Sequence, residues 1–315
     1  MPDTLALDAP AKLNLFLHVV GRRPDGYHEL QTFFVFVDLC DRIELQRTAD
    51  GSVERSNEVP GVVESEDLVV RAAHALRVAS GACPGVRIGV DKRIPMGGGL
   101  GGGSSDAAAV LLGLNRLWGL GWPASRLAEI GLRLGADVPV FVHGQAGFAE
   151  GVGERLTPVL LDPGWFVIVQ PRCHVSTAEI FAAPELTRDA QRLTIRDFLA
   201  GGRFTTDGKP SVAAILAATR NDCEPVARAR HPLLDRVMRS VAQTLRELRV
   251  SEPAEYRESV LRMTGTGACC FVTVRSEAAG QRLQQQLRAR LASTDAAVHI
   301  AHGATGSAAA GVVPA

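Results

Sequence analysis

Lysine is almost missing from this chain. Of its 34 basic residues only Lys12, Lys92 and Lys209 are lysine, and the other 31 are arginine. Solvated basic positions have defaulted to arginine, so a lysine that remains marks a place where a compact ammonium does what a planar fork cannot. An excess of either charge is missing too: 34 basic and 34 acidic residues give a formal net charge of zero. That balance excludes a protein whose main task is to coat nucleic acid or anionic lipid. No apolar run reaches the roughly 18–20 residues of a membrane span. The stretch LALDAPAKLNLFLHVV is broken by Asp8, Lys12, Asn14 and His18 and is followed by no small-residue cleavage site. It is expected to be a strand rather than an export signal. The six cysteines form no CxxC pair and no metal-ligand spacing, which points to free buried thiols and a cytoplasmic setting. Aromatic residues make up only 5% of the chain, and just two of them are tyrosine.

What remains is an ordinary globular composition, 46% hydrophobic and 22% charged over 315 residues, enough for one large or two ordinary domains. DLCDRIELQR (38–47) and GVRIGVDKRIP (85–95) read as strands, with a helix over 66–80 between them. SSDAAAVLLGLNRLWGL (104–120) is strongly helical, with Ser104 as its expected N-cap, and a second helix over 123–135 opens at Pro123. Composition changes near 156–164. Beyond it come a strand at 165–171, the short helix STAEIFA, a loop-rich region around 201–210 and a helix at 231–249. A strand, helix and strand close the pattern. Strands and helices alternate without a regular βαβ rhythm, which predicts a two-domain α+β protein. The expected units are 1–157 and 158–303, with 304–315 as a disordered, low-complexity tail.

PMGGGLGGGSSDAA (95–108) puts six glycines into seven positions just before a helix. A flexible linker does not begin at a strand and end in an alanine-rich helix. Gly97, Gly99 and Gly102 satisfy GxGxxG, but the dinucleotide fold expects an acidic residue about 20 positions on, where this chain has LWGLGWPAS. Phosphate binding at a helix N-terminus fits better: backbone N–H groups free of side chains wrap an anion, and the helix end adds about half a positive charge. Gly103 stands where a Walker lysine belongs, and HRD, DFG and VAIK are absent. The cation therefore comes from elsewhere.

This glycine motif resembles the phosphate-binding motif of the GHMP kinase superfamily, small-molecule kinases that use ATP. APAKLNLFLHV near the N-terminus and MTGTGACCF (263–271) are similar to the superfamily's other two motifs, in the same order. GRRPDGYHELQTFF (21–34) and GADVPVF (135–141) resemble the branch whose substrate is an alcohol carrying a cytidine diphosphate group, in the non-mevalonate route to isoprenoids. The resemblance implies the GHMP fold, a ribosomal protein S5 domain 2-like unit followed by a ferredoxin-like one. It also implies ATP with Mg²⁺. The metal ligands stay open, and so does the choice between monomer and homodimer. Two rival readings remain: a GHMP kinase for another small alcohol, of the homoserine or mevalonate type, and a nucleotide-binding regulator without catalysis.

Phosphoryl transfer needs a phosphate cradle, a cation and an acceptor for the hydroxyl proton. The resemblance makes Pro95, Met96, Gly97, Gly98, Gly99, Leu100, Gly101, Gly102, Gly103, Ser104 and Ser105 the ATP cradle. Ser104 either serves phosphate or metal, or simply caps its helix. The family's catalytic aspartate falls on Asp137, which otherwise reads as a helix cap. Lys12, in an apolar strand where an unpaired ammonium is costly, is expected beside Asp137 and the acceptor hydroxyl, with a solvated face position as the plain alternative. Asn14 shares its strand face, as a substrate contact or a core amide. By resemblance Tyr27 and Phe181 sandwich the cytosine, His28 reads its edge and Phe34 walls the pocket. A packed turn and ordinary core are the plain alternatives. The resemblance also places Lys92 and the Asp67–Leu68 segment near the adenine.

Overall fold

A computed structural model of the chain describes residues 3–81, 84–161, 164–200, 202, 204–206, 208–304 and 306. Cys83 and most of the expected tail lie outside these residues. Within that tail, Ala304 ends the last strand and Gly306 pairs with Gln145.

The chain opens with two long strands, β1 (Thr4–Arg22) and β2 (His28–Thr48), paired antiparallel from Thr4–Gln46 to Arg22–His28. Pro10 has no N–H to give the ladder, and the register slips between Pro10 and Ala11, with further slips after Asn14 and Val19. The remaining strands are β3 (Val53–Arg55), β4 (Gly85–Asp91), β5 (Gly147–Gly151), β6 (Arg155–Pro158), β7 (Trp165–Gln170), the small pair β8 (Thr205–Thr206) and β9 (Lys209–Pro210), β10 (Leu261–Met263), β11 (Cys270–Val274) and β12 (Ala297–Ala304). All but β8 and β9 join one sheet. β1 covers one edge of β2. Along the other edge β5 takes Leu30–Phe34, β12 takes Phe36 and Val37, and β4 takes Arg42–Thr48. β7, β11 and β10 continue the sheet beyond β12.

Helices α1 (Leu68–Ser80), α2 (Gly102–Leu117), α3 (Ala124–Leu132) and α4 (Val138–His143) belong to the first half, and α5 (Thr177–Ala182) opens the second. α2 lies tight on the sheet: a Cβ at Gly113 would fall 2.4 Å from Leu45 and 2.7 Å from Leu7. Leu111, Val69 and Phe141 share a buried cluster with the strands beneath them. Helices Pro232–Ser251 and Glu277–Arg290 cover β7, β11 and β12 through Val241, Leu245 and Leu283. A third cluster joins the halves, with Leu13, Phe16 and Phe33 against Phe166, Ile168 and Phe271. No helix among the described residues is long and apolar enough to cross a membrane.

The helix bounds are corrected: the helix expected over 123–135 runs only Ala124–Leu132, and the one expected over 66–80 starts at Leu68. α2 starts at Gly102, with Gly101 as its N-cap at φ 74°, and it ends at Leu117 rather than 120. Glycine reaches this left-handed conformation without strain, so the turn into the helix comes earlier than a side-chain cap would place it. Ser104 is consequently the third helical residue and caps nothing. After α2, the Asn115 side chain bonds the backbone N–H and carbonyl of Trp122 and closes the turn.

Candidate active site

A cleft of about 580 Å³ opens between the glycine loop, β1, β2 and α5. On its floor the pleat of β1 sets Lys12 and Asn14 on one face. Both are buried, and Lys12 Nζ donates to Asn14 Oδ1 at 2.5 Å. Asn14 is held in turn: its Nδ2 donates to Thr32 Oγ1 and its backbone N–H to Thr264 Oγ1, each at 2.9 Å. Lys12 Nζ lies 3.4 Å from Asp137 Oδ2 and 5.3 Å above the Phe34 ring.

Asp137 precedes α4 at its N-cap position, yet with φ −83° and ψ −17° its side chain caps nothing. Its carboxylate is 34% exposed, against 4% for the Lys12 side chain. A half-buried carboxylate held by a buried ammonium, with no capping bond of its own, can accept the proton of a hydroxyl that attacks at the cleft wall. The ammonium can at the same time offset charge that develops there.

The glycine loop does two jobs. Its inner side packs on the turn between β10 and β11: a Cβ on Gly98 would lie 2.3 Å from Cys269 Sγ, and one on Gly99 2.6 Å from the Thr264 carbonyl oxygen. A Cβ on Gly101 would meet Phe141 at 2.8 Å. The other side, from Pro95 to Ser104, lines the cleft. The first α2 bond from this turn runs from Ser105 N–H to Gly101 C=O, so the N–H groups of Gly102, Gly103 and Ser104 have no partner within the helix. They form a ready anion cradle. Ser105 does not line the cleft; it is buried, and its hydroxyl has no hydrogen-bond partner among the described residues.

Beneath the cradle lies a charge cluster that sequence reasoning missed. Lys92 Nζ donates to Asp106 Oδ2 at 2.7 Å and to Asp41 Oδ2. Asp41 Oδ1 also accepts from the backbone N–H of Arg93 (2.5 Å) and Ile94 (2.8 Å). Burial pushes the Asp106 carboxyl up to about 7, against the pull of Lys92, and Asp41 pushes the same way as burial. Burial pulls Lys92 down, but the two carboxylates outweigh it and its pKa ends above the ordinary value. Lysine's rarity singled out Lys92. Nothing in DLCDRIELQR marked Asp41 as its partner.

Phe34, beside Lys12, and Phe181 line the cleft, while Tyr27 and His28 do not. Tyr27 is 66% exposed on the β1–β2 turn, where its N–H donates to Asp25 Oδ1 at 3.1 Å. The His28 ring stacks on Phe181, centroids 5.0 Å apart at 23°. Asp67 and Leu68 line the cleft with Lys92. Asp67 also caps α1 through Val69 N–H and pairs with Arg55 at 2.9 Å. Thr177 and Thr266, hydroxyls 2.9 Å apart, face the cleft as well. The serine–threonine start of STAEIFA was the only signal for Thr177.

Known proteins place this geometry. A family model described as GHMP kinases N terminal domain matches residues 67–145, which contain the cradle and Asp137. A 4-diphosphocytidyl-2-C-methyl-D-erythritol kinase of Halorhodospira halophila is 51% identical over 282 residues, covering 89% of this chain and 88% of that protein. The chain belongs to this family of GHMP kinases. A crystal structure of 4-(cytidine 5'-diphospho)-2C-methyl-D-erythritol kinase superposes with a TM-score of 0.73 at 32% identity, over 95% of this chain and 100% of that one. A homoserine kinase from Cytophaga hutchinsonii superposes at 0.62 with 16% identity, over 98% and 97% of the two chains. That likeness shows the α+β GHMP kinase fold alone.

Proposed function

We propose that this chain transfers the γ-phosphoryl group of ATP to the 2-hydroxyl of 4-diphosphocytidyl-2-C-methyl-D-erythritol, in the non-mevalonate route to isopentenyl diphosphate. One observation carries the catalytic part: the Lys12–Asp137 pair lines the same cleft as the glycine loop, whose N–H groups at 102–104 have no partner within the helix. Asp137 accepts the hydroxyl proton as the new O–P bond forms and the bond to the ADP oxygen breaks. Lys12 orients that carboxylate and offsets charge on the migrating group. Asn14, fixed by Thr32 and Thr264, positions the acceptor.

The described residues hold no group of three or more His, Cys, Asp or Glu fit for a metal. Magnesium needs no such cage, since it binds through substrate phosphates, waters and one or two protein groups. Ser104, free of capping duty at the cleft wall, suits that role. Mg²⁺ bound with the nucleotide supplies charge neutralisation between phosphates. Residues 1–157 serve as the nucleotide-binding unit, S5 domain 2-like, and 158–303 as the ferredoxin-like unit. Phe181 and His28 receive the cytosine, and the exposed Tyr27 closes over it.

The test is ATP consumption with the cytidyl diphosphate alcohol, homoserine and mevalonate in parallel. Turnover is expected with the first alone. Activity only with homoserine or mevalonate would overturn the substrate, and ATP binding without turnover on any of them would favour a regulator.

A further inference from the structure

Arg188 does not line the cleft, yet it ties together two parts of the base-binding end. Its Nε donates to His28 Nε2 at 3.1 Å. Its two terminal nitrogens donate to the carbonyls of Leu186 (2.9 Å), Phe181 (3.0 Å) and Ala183 (2.7 Å). Phe181 and Ala183 stand at the C-terminal end of α5, and His28 is the first residue of β2. One planar cation therefore fixes both rings of the His28–Phe181 stack, one by its nitrogen and the other through its backbone.

The donor's identity decides the histidine's. Guanidinium has no acceptor and does not lose its proton. The nitrogen that receives its N–H must be bare, which makes the ring neutral and leaves its single N–H on Nδ1. The surroundings agree: burial, then Arg188, then Arg22 hold the His28 pKa below its ordinary value. The nearest carboxylate along the strand, Glu29, is taken by Arg192.

We propose that Arg188 is a positioning residue for base recognition, locking His28 as the Nδ1–H tautomer flat against Phe181. A pyrimidine arriving at this end then meets an aromatic shelf and a donor already set, so that little rotamer freedom is lost on binding. A lysine cannot do this, because an ammonium lacks the fork that reaches three carbonyls and a ring nitrogen together. The purpose rests on the cytidine-diphosphate reading given above; the tautomer does not.

Nitrogen NMR of the His28 ring in the unaltered protein reads the tautomer directly. Calorimetric titration with CDP, and separately with a non-hydrolysable ATP analogue, reads the two ends of the cleft in the parent protein, Arg188→Lys and Arg188→Met. The expected result is Nδ1–H in the parent and CDP affinity reduced about tenfold in both variants, with the ATP analogue bound as before. The His28 pKa should rise in Arg188→Met, where the cation is gone, and stay low in Arg188→Lys. An Nε2–H ring, or CDP bound equally by all three proteins, overturns the proposal. An Nδ1–H ring in a parent protein that ignores CDP refutes the substrate reading instead.

Discussion

At the scale of single residues, burial divides the labour of the Lys12–Asp137 pair. Lys12 has lost its water and depends on Asn14 and Asp137 for compensation, whereas Asp137 keeps a third of its surface open. Removing the carboxylate's basicity without its shape should stop proton transfer and leave nucleotide binding intact. For Asp137→Asn we expect kcat to fall by about 10²–10⁴, with unchanged affinity for a non-hydrolysable ATP analogue by calorimetry. A variant that turns over normally would take Asp137 out of the reaction. Asp106 should show itself in stability rather than rate. Its folded pKa, raised by burial to about 7, exceeds the unfolded value. The native state therefore holds an extra proton from about pH 4 to 7, and this group's contribution to stability is lost as pH rises through 7. Lys92 stays charged throughout that window and adds no slope. Urea midpoints at pH 5 and 8 should therefore fall more steeply with pH in the parent protein than in Asp106→Asn. Equal slopes would mean that Asp106 titrates normally.

At the scale of elements, the glycine loop is a packing device as well as the proposed cradle, and its glycines are not equivalent. Gly99 has φ 77° and no room for a Cβ against the Thr264 carbonyl. Gly103 has neither constraint, since an added Cβ would make ordinary contact with Leu68 at 3.5 Å. Gly99→Ala should cost about 2 kcal/mol or more by denaturation, from left-handed strain plus overpacking. Gly103→Ala should be neutral or gain up to about 1 kcal/mol as a helical alanine. Equal effects would refute the inward role of Gly99. This asymmetry marks where the sequence stops being legible. Six glycines before an alanine-rich run announce a cradle, and a lysine and aspartate in apolar surroundings announce a pair. Which glycines face inward depends on Thr264 and Cys269, brought up by β10 and β11 from far along the chain. Asp41 was hidden for a similar reason: it sits at the pleat of β2, and only the return of β4 brings Lys92 to it. The helices Val212–Ala218 and Cys223–Arg230 carry little periodic signal, because each is short and contributes only a few buried side chains.

At the scale of the whole molecule, the cleft belongs to neither half. β1 supplies Lys12 and Asn14, while the β10–β11 turn supplies Thr264, which bonds the Asn14 backbone, and Gly265 and Thr266, which line the wall. The same join carries the cluster of Leu13, Phe16, Phe166 and Phe271 and the pairing of β12 with Phe36 and Val37. A separation of the halves would expose that cluster to water, at about 1.5–3 kcal/mol for each large side chain. Unfolding should accordingly be one cooperative event. Trp118 packs on the first half's core and Trp165 on the second's, so two variants, each keeping one of these as the sole one of the chain's three tryptophans, report the halves separately. Their urea transitions should coincide, and an ATP analogue at about 100 times its Kd should stabilise both by about 2.7 kcal/mol. Two resolved midpoints, with the nucleotide shifting only the one seen by Trp118, would instead make the first half a self-sufficient nucleotide binder and the interlock at Thr264 dispensable.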